Sequence, residues 1–154
     1  SKSLIMSQSS IHQQSQGSIH IRIVQDFLRL QYEGQIEAAF QAYAHPDFQW
    51  VVSTDRSPEL QQAIPWAGYA HQGKAGYEQL VGTLFGEFES KHFEVEEYYS
   101  VDNKVFAVGH FSFQHRTTKK MAESDFVSVF HFKEGKISGG QFYENTYAVA
   151  AARY

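Results

Sequence analysis

The chain has no cysteine. That absence excludes disulfides, redox-active thiols and thiolate metal sites together. It has no run of about 18 apolar residues, so no segment is expected to span a membrane. No apolar signal core of the needed length stands at the N-terminus. A surplus of positive charge is also missing: Lys and Arg number 13 against 17 Asp and Glu, and the formal net charge is −4. The basic footprint of a nucleic-acid binder is therefore absent. No Gly-x-Gly-x-x-Gly, phosphate loop or Gly-x-Ser-x-Gly occurs. The eight histidines show no His-x-x-x-His spacing beside an acid, so neither a metal nor a cofactor is expected. These exclusions leave a soluble, cytoplasmic protein as the expectation, with no nucleic-acid or membrane partner.

What the chain does have is aromatic residues, 16% of the total, with 13 Phe and 9 Tyr. They concentrate in four successive runs, Phe93–Val101, Lys104–Arg116, Met121–Lys133 and Lys136–Tyr147. The breaks between them, Asp102-Asn103, Thr117-Thr118-Lys119-Lys120 and Glu134-Gly135, carry turn chemistry. Connections this short permit only antiparallel hairpins, because a parallel return needs a crossover of a dozen or more residues. The expectation is a long four-stranded antiparallel meander.

Ahead of it, residues 1–17 are rich in Ser and Gln and show no apolar period, which predicts a disordered tail. From residue 18 to 154 a single domain is expected, a size that buries roughly two thirds of the unfolded surface. Ile19, Ile23, Phe27 and Leu30 recur at helical spacing and predict a helix over 18–31. Gly34 breaks it, and Gln35 to Tyr43 form a second helix. His45-Pro46-Asp47 ends that helix, since the residue before proline is driven out of the α region. Phe48 to Val52 read as a short strand. Thr54 to Ala70 is irregular, yet Ile64, Trp66 and Tyr69 say that it packs on something. Lys74 to Phe88 is a third helix, and Tyr147 to Ala152 form a short tail helix or fray. Helices on one face of an antiparallel sheet define an α+β fold.

Hairpin geometry assigns the faces. A turn at Thr118-Lys119 sets Phe113 opposite Phe126 and Gly109 opposite Phe130. A three-residue loop at Glu134-Gly135-Lys136 sets Ser128 opposite Phe142 and Phe126 opposite Glu144. One face then reads Gly109, Phe111, Phe113, Phe126, Phe130, Phe132 and Phe142, with Ser124, Ser128 and Glu144 among the rings. Small residues amid large ones suggest a cavity under the helices. The other face centres on Val127, Val129, Ile137 and Tyr143, rimmed by polar groups. With every helix needed on the aromatic face, this apolar patch is expected to meet its own copy in a homodimer.

Several motifs in order, Tyr32-Glu33-Gly34-Gln35, His45-Pro46-Asp47-Phe48-Gln49-Trp50, Pro65-Trp66-Ala67-Gly68 with Gly73, and Gly135-Lys136-Ile137, resemble the NTF2-like superfamily. The resemblance is to its SnoaL-like, ketosteroid-isomerase-like branch and covers Ile23 to about Ala150. It implies a curved sheet wrapped as a cone around about three helices, an apolar pocket between them, and a homodimer. Family functions range over isomerases, polyketide cyclases, epoxide hydrolases and non-enzymatic binders, so fold alone does not choose. Where ketosteroid isomerases place a catalytic Tyr, this chain has Phe27, and their general-base Asp falls near Val51-Val52. The Arg and Asp positions of limonene-epoxide-hydrolase-like members align with Gly109, Phe111 and Phe142. Neither constellation is present.

The candidate acid/base is Glu144, the one carboxylate on the aromatic face, where desolvation raises a carboxyl's pKa. The plainer alternative places it at the rim or bonded to a Tyr. His71, after Trp66 and Tyr69, is the second candidate, against the commoner solvent-facing loop histidine. Trp50, Trp66, Phe111, Phe113, Phe126, Ser128 and Phe142 are the candidate ligand wall, with core packing as the alternative for the two Trp. Arg116, Glu123 and Asp125 resemble a catalytic trio but fall on the outer face, where opposite charges across strands stabilise a sheet. The reading is a protein that binds a small, mostly apolar molecule, with isomerase, cyclase or hydrolase chemistry as its extension. The rival reading is a non-catalytic ligand carrier or a dimeric protein-interaction module.

Overall fold

The structure, a computed structural model, describes residues 2–154, with side chains from residue 16 onward. The expected Ser/Gln-rich tail at 1–17 thus lies for almost its whole length outside the described side chains.

The chain runs α1 (Lys2–Tyr32), α2 (Ile36–Tyr43), β1 (Ala44–Val52), α3 (Pro58–Ala63), β2 (Ala70–Gln72), α4 (Gly73–Glu87), β3 (Phe88–Val101), β4 (Lys104–His115), β5 (Met121–Lys133), β6 (Lys136–Glu144) and α5 (Thr146–Ala152). The six strands form one open, curved sheet in the order β2-β1-β6-β5-β4-β3. The four-stranded meander is present, and β1 joins it by pairing parallel to β6. Two register shifts in the β3–β4 ladder, between Ser90 and His92 and between Val95 and Glu97, insert extra residues into β3. Such bulges bend and twist a strand, and here they help turn the sheet about the helices. This is an α+β fold of the NTF2-like kind. Among the described residues, no helix is long and apolar enough to cross a membrane.

Within 54–70, where irregular chain is expected, a short helix and the start of an edge strand are found. Ser57 caps α3 by accepting the Leu60 amide, with Pro58 just inside the first turn; this is ordinary helix-start chemistry. Asn145 caps α5 in the same way through the Ala148 amide.

The β4–β5 register differs from expectation. Gly109 pairs with Phe126, Phe111 with Ser124 and Phe113 with Ala122, a slide of four residues. The turn sits two residues nearer the N-terminus than the expected pairing needs, centred between Thr117 and Thr118. His115 donates its amide to the Lys120 carbonyl, and its Nδ1 accepts from the Thr117 and Thr118 amides. An even slide leaves every side chain on its expected face, so the aromatic face survives. At β5–β6, Phe126 pairs with Glu144 and Ser128 with Phe142, as the hairpin geometry predicts.

Ile137 is a correction. The ladder shifts between His131 and Phe132, so that Ile137 pairs with Phe132. That bulge rotates Ile137 onto the inner face, where it is fully buried. It takes no part in the outer patch, which keeps half-buried Val127 and Val129 and exposed Tyr143. Gly139, beside the bulge, has φ +124°, and its backbone runs so close to Gln49 that a Cβ would collide with the Gln49 carbonyl oxygen. Only glycine suits that conformation and that approach.

Candidate functional site

Between the sheet and the helices lies a cavity of about 550 Å³. Trp50 and Val52 of β1, Tyr98 of β3, Phe113 of β4, Ser128 and Phe130 of β5, and Phe142 and Glu144 of β6 form its sheet wall. Leu28 and Gln31 of α1, Tyr77 and Leu80 of α4, Val149 of α5, and Trp66 close it from the other side. Alternation along the strands sends these residues inward, and Ser128, small among rings, helps leave the space open.

Six of the sequence-derived site residues therefore share one cavity: Trp50, Trp66, Phe113, Ser128, Phe142 and Glu144. Phe111 and Phe126 stand behind the wall. Phe111 is fully buried and stacks on Phe113 with ring centres 4.3 Å apart. Phe126 stacks on Phe142 at 5.0 Å. They support the lining without forming it.

Glu144 holds the central chemical feature. Burial pushes its carboxyl up from the usual value to about 8. No cation or hydrogen-bond donor among the described side chains offsets that burial. A carboxyl of this kind is neutral for most of the time at pH 7, and its conjugate base is much stronger than an ordinary carboxylate.

His71 is buried rather than solvent-facing, and it stands outside the cavity wall. Its Nε2 lies 2.8 Å from the Trp66 carbonyl oxygen, and its ring lies 4.3 Å from that of Tyr69. Burial lowers its pKa, against the opposing pull of its backbone bonds. The arrangement pins the segment that carries Trp66. Arg116, Glu123 and Asp125 go to separate partners: the Phe85 carbonyl, Ser112 and His110 respectively.

Sequence reasoning passed over several polar lining residues, Gln31 and Tyr77 among them. The Tyr77 hydroxyl donates to Gln31 Oε1 at 2.5 Å. A signal was available. Val24 and Phe27 on α1 are fully buried, and Gln31 continues their spacing, a polar residue on an apolar stripe. At the mouth, Arg29 is held by Asp26 and Glu33, and Asp26 also accepts from Tyr43.

The family model described as a SnoaL-like domain matches residues 24–139. The chain belongs to the SnoaL-like family. Solved structures agree on the fold of this SnoaL-like chain. An NTF2-like protein of Burkholderia xenovorans LB400 is 22% identical, with 90% of this chain and 98% of that one covered and a TM-score of 0.75. An NTF2-like protein of Burkholderia thailandensis E264 is 23% identical, with 88% and 97% covered and a TM-score of 0.72. TerC, co-crystallised with polyporic acid, is 19% identical, with 88% and 98% covered and a TM-score of 0.70. No curated protein matches the chain.

Proposed function

We propose that this SnoaL-like domain binds a small, mostly apolar molecule in the cavity and that Glu144 moves a proton on it. The observation that carries the reading is a carboxyl with its pKa raised to about 8 on the wall of an aromatic cavity. Catalytic proton transfer is most efficient when the group's pKa lies near the working pH. A ligand-binding wall dominated by apolar and aromatic groups with few polar ones is the usual make-up of a small-molecule site.

The step would be proton abstraction next to a carbonyl. The Glu144 carboxylate takes the α-hydrogen as a proton, and the C–H electron pair becomes the C=C bond of the enolate. The negative charge moves to the carbonyl oxygen. Return of the proton from the Glu144 carboxylic acid to carbon regenerates a ketone. Delivery to a different carbon of a conjugated system would be an isomerisation, and attack of the enolate on a second carbonyl a cyclisation.

The test is hydrogen–deuterium exchange at the α-carbon of 2-tetralone in D2O, followed by proton NMR. Wild type should accelerate exchange well above buffer, with kcat/KM rising to a plateau above about pH 8. Glu144→Gln should return the rate to the buffer level without loss of fold. Binding of the ketone with no acceleration in wild type would favour a carrier instead.

A further inference from the structure

Ser128 is 5% exposed, and the sheet gives it apolar neighbours on the inner face. Ala107 of β4 lies beside it on one side and Phe142 of β6 on the other. Phe126 and Phe130 stand two residues away along β5, on the same face. Its hydroxyl has no hydrogen-bond partner among the described residues, yet it is not one of the unpartnered atoms sealed from all space, which are His20 Nδ1 and Gln31 Nε2. Its small opening gives onto the cavity that it lines. A nearly buried hydroxyl without a partner is unfavourable, and an occupant that brings an oxygen removes the penalty.

Register sets this hydroxyl beside the carboxyl. Ser128 pairs with Phe142 and Phe126 with Glu144, so Ser128 and Glu144 are diagonal neighbours on adjacent strands. Diagonal Cβ atoms of an antiparallel pair lie about 7–8 Å apart. A hydrogen bond spans about 2.7 Å and a reactive contact about 3–3.5 Å. The oxygen of a ketone and its α-carbon are two bonds apart, so one small fragment bridges that spacing. Burial alone raises the Glu144 pKa, with no contribution from Ser128, so the hydroxyl proton is free for an occupant.

The surroundings limit what that occupant can be. Arg29 is the one cation among the described lining residues, and Asp26 and Glu33 already hold it. An anion would enter an aromatic chamber without a counter-charge, at heavy desolvation cost. A neutral oxygen meets no such barrier. The other hydroxyls of the wall are placed less well. That of Tyr77 is bonded to Gln31, and Tyr32 is 86% exposed. Tyr98 shares a cross-sheet row with Ser128 but lies beyond Ala107, on the side away from Glu144.

We propose that Ser128 is the polar anchor of the cavity: its hydroxyl donates to the carbonyl oxygen of an otherwise apolar ketone, whose α-carbon then faces Glu144. This assignment rests on the reading that the cavity takes an apolar molecule beside Glu144, and it names the substrate class. As the α-proton leaves, charge gathers on the carbonyl oxygen, so the bond from Ser128 strengthens toward the transition state. A hydrocarbon of the same shape would fill the space but leave the hydroxyl bare. Sites that hydrogen-bond a polar group reject analogues lacking it much more strongly than apolar pockets reject a missing methylene.

The test titrates 2-tetralone and tetralin calorimetrically into wild type, Ser128→Ala, Ser128→Cys and Tyr98→Phe, and follows α-deuterium exchange of 2-tetralone on the same proteins. Each probe's hydration is the same for all four proteins, so a change in the ketone-to-hydrocarbon affinity ratio reads the site alone. Ser128→Ala should lower that ratio by about fivefold or more while tetralin binding persists. It should also lower kcat for exchange by about tenfold or more. Ser128→Cys, close in shape but a weak donor, should fall between alanine and wild type. Tyr98→Phe should leave the ratio unchanged. Should Ser128→Ala fail to give a cooperative melt, Ser128→Cys decides. An unchanged ratio in the folded Ser128 variants, or a larger fall in Tyr98→Phe, overturns the anchor and leaves proton transfer by Glu144 standing. A lowered ratio with exchange unaltered overturns the shared pose. A lowered ratio where wild type gives no exchange upholds the anchor and overturns the proton transfer. No binding of either probe overturns both.

Discussion

Phe126 stands directly opposite Glu144 across the β5–β6 ladder, and its ring stacks on Phe142 at 5.0 Å. The carboxyl thus rises from a bed of aromatic carbon, and these rings help keep water from it. Phe126→Leu should let water nearer and bring the Glu144 pKa down from about 8 toward the ordinary carboxylate range. Carbon-13 NMR titration of the Glu144 carboxyl checks this; an unmoved midpoint would mean that other groups supply the burial.

Glu144 also shapes stability against pH. In the unfolded chain its carboxyl releases its proton near 4.5, and in the native state near 8. Between those values the native state holds a proton that the unfolded state has lost, so stability falls as pH rises. The contribution is complete below about pH 4.5 and gone above about 8. Glu144→Gln should flatten this decline and leave the protein more stable than wild type at pH 9, by about 2–4 kcal/mol after allowance for residual solvent contact. Urea unfolding at pH 6 and pH 9 measures it.

The acid side is governed by groups of opposite sign. His20 is buried on α1 and stacked on Phe132 with ring centres 4.1 Å apart. Burial lowers its pKa from the usual 6.5, so the unfolded state binds a proton first. Its stabilising effect is present above about pH 6.5 and is lost as pH falls toward its native value. His20→Phe keeps a stacking ring and removes a buried Nδ1 that has no partner among the described residues. Melting temperature should then fall less between pH 7 and pH 5 than in wild type.

Gly140 has no room for a side chain. A Cβ there would collide with the Val129 carbonyl oxygen and lie 2.8 Å from the Trp50 ring. Gly140→Ala should destabilise the fold by about 1–3 kcal/mol, the usual range for overpacking. It should also displace Trp50 and lower affinity for any cavity ligand. Tryptophan fluorescence and urea unfolding together report both effects.

On the outer sheet face we propose self-association through Val127, Val129 and Tyr143. An apolar centre inside a polar rim is how protein interfaces are built, and the rim here includes the His110–Asp125 and Ser112–Glu123 pairs. A dimer should sediment at micromolar concentration, and Val129→Glu should dissociate it. A monomeric wild type, or an equally tight Val129→Glu dimer, would rule it out.

The inner face was legible in the sequence because alternation carries it: Phe111, Phe113, Phe126, Ser128, Phe142 and Glu144 all point where period two sends them. Exact pairing was less accessible. The β4–β5 slide depends on His115 folding its ring over the turn to bond the Thr117 and Thr118 amides, a choice that turn composition does not encode. The inward turn of Ile137 depends on a bulge beside Gly139, whose tight approach to Gln49 is a tertiary fact. Gln31 was overlooked for a similar reason. A glutamine is unremarkable on a helix until Tyr77, distant in sequence, bonds to it.

The parallel pairing of β1 with β6, Trp50 against Gly140 and Val52 against Phe142, gives the site a place in time as well as in space. During synthesis, Trp50 leaves the ribosome long before the strand that will lie beside it, and Glu144 follows later still. The nascent chain therefore carries the aromatic residues of β1 without their final neighbour until β6 emerges. Non-local pairing of this kind slows folding and leaves strand edges open to wrong partners meanwhile. The proposed catalytic carboxyl is among the last wall residues to arrive, so no working site can form on a partly made chain.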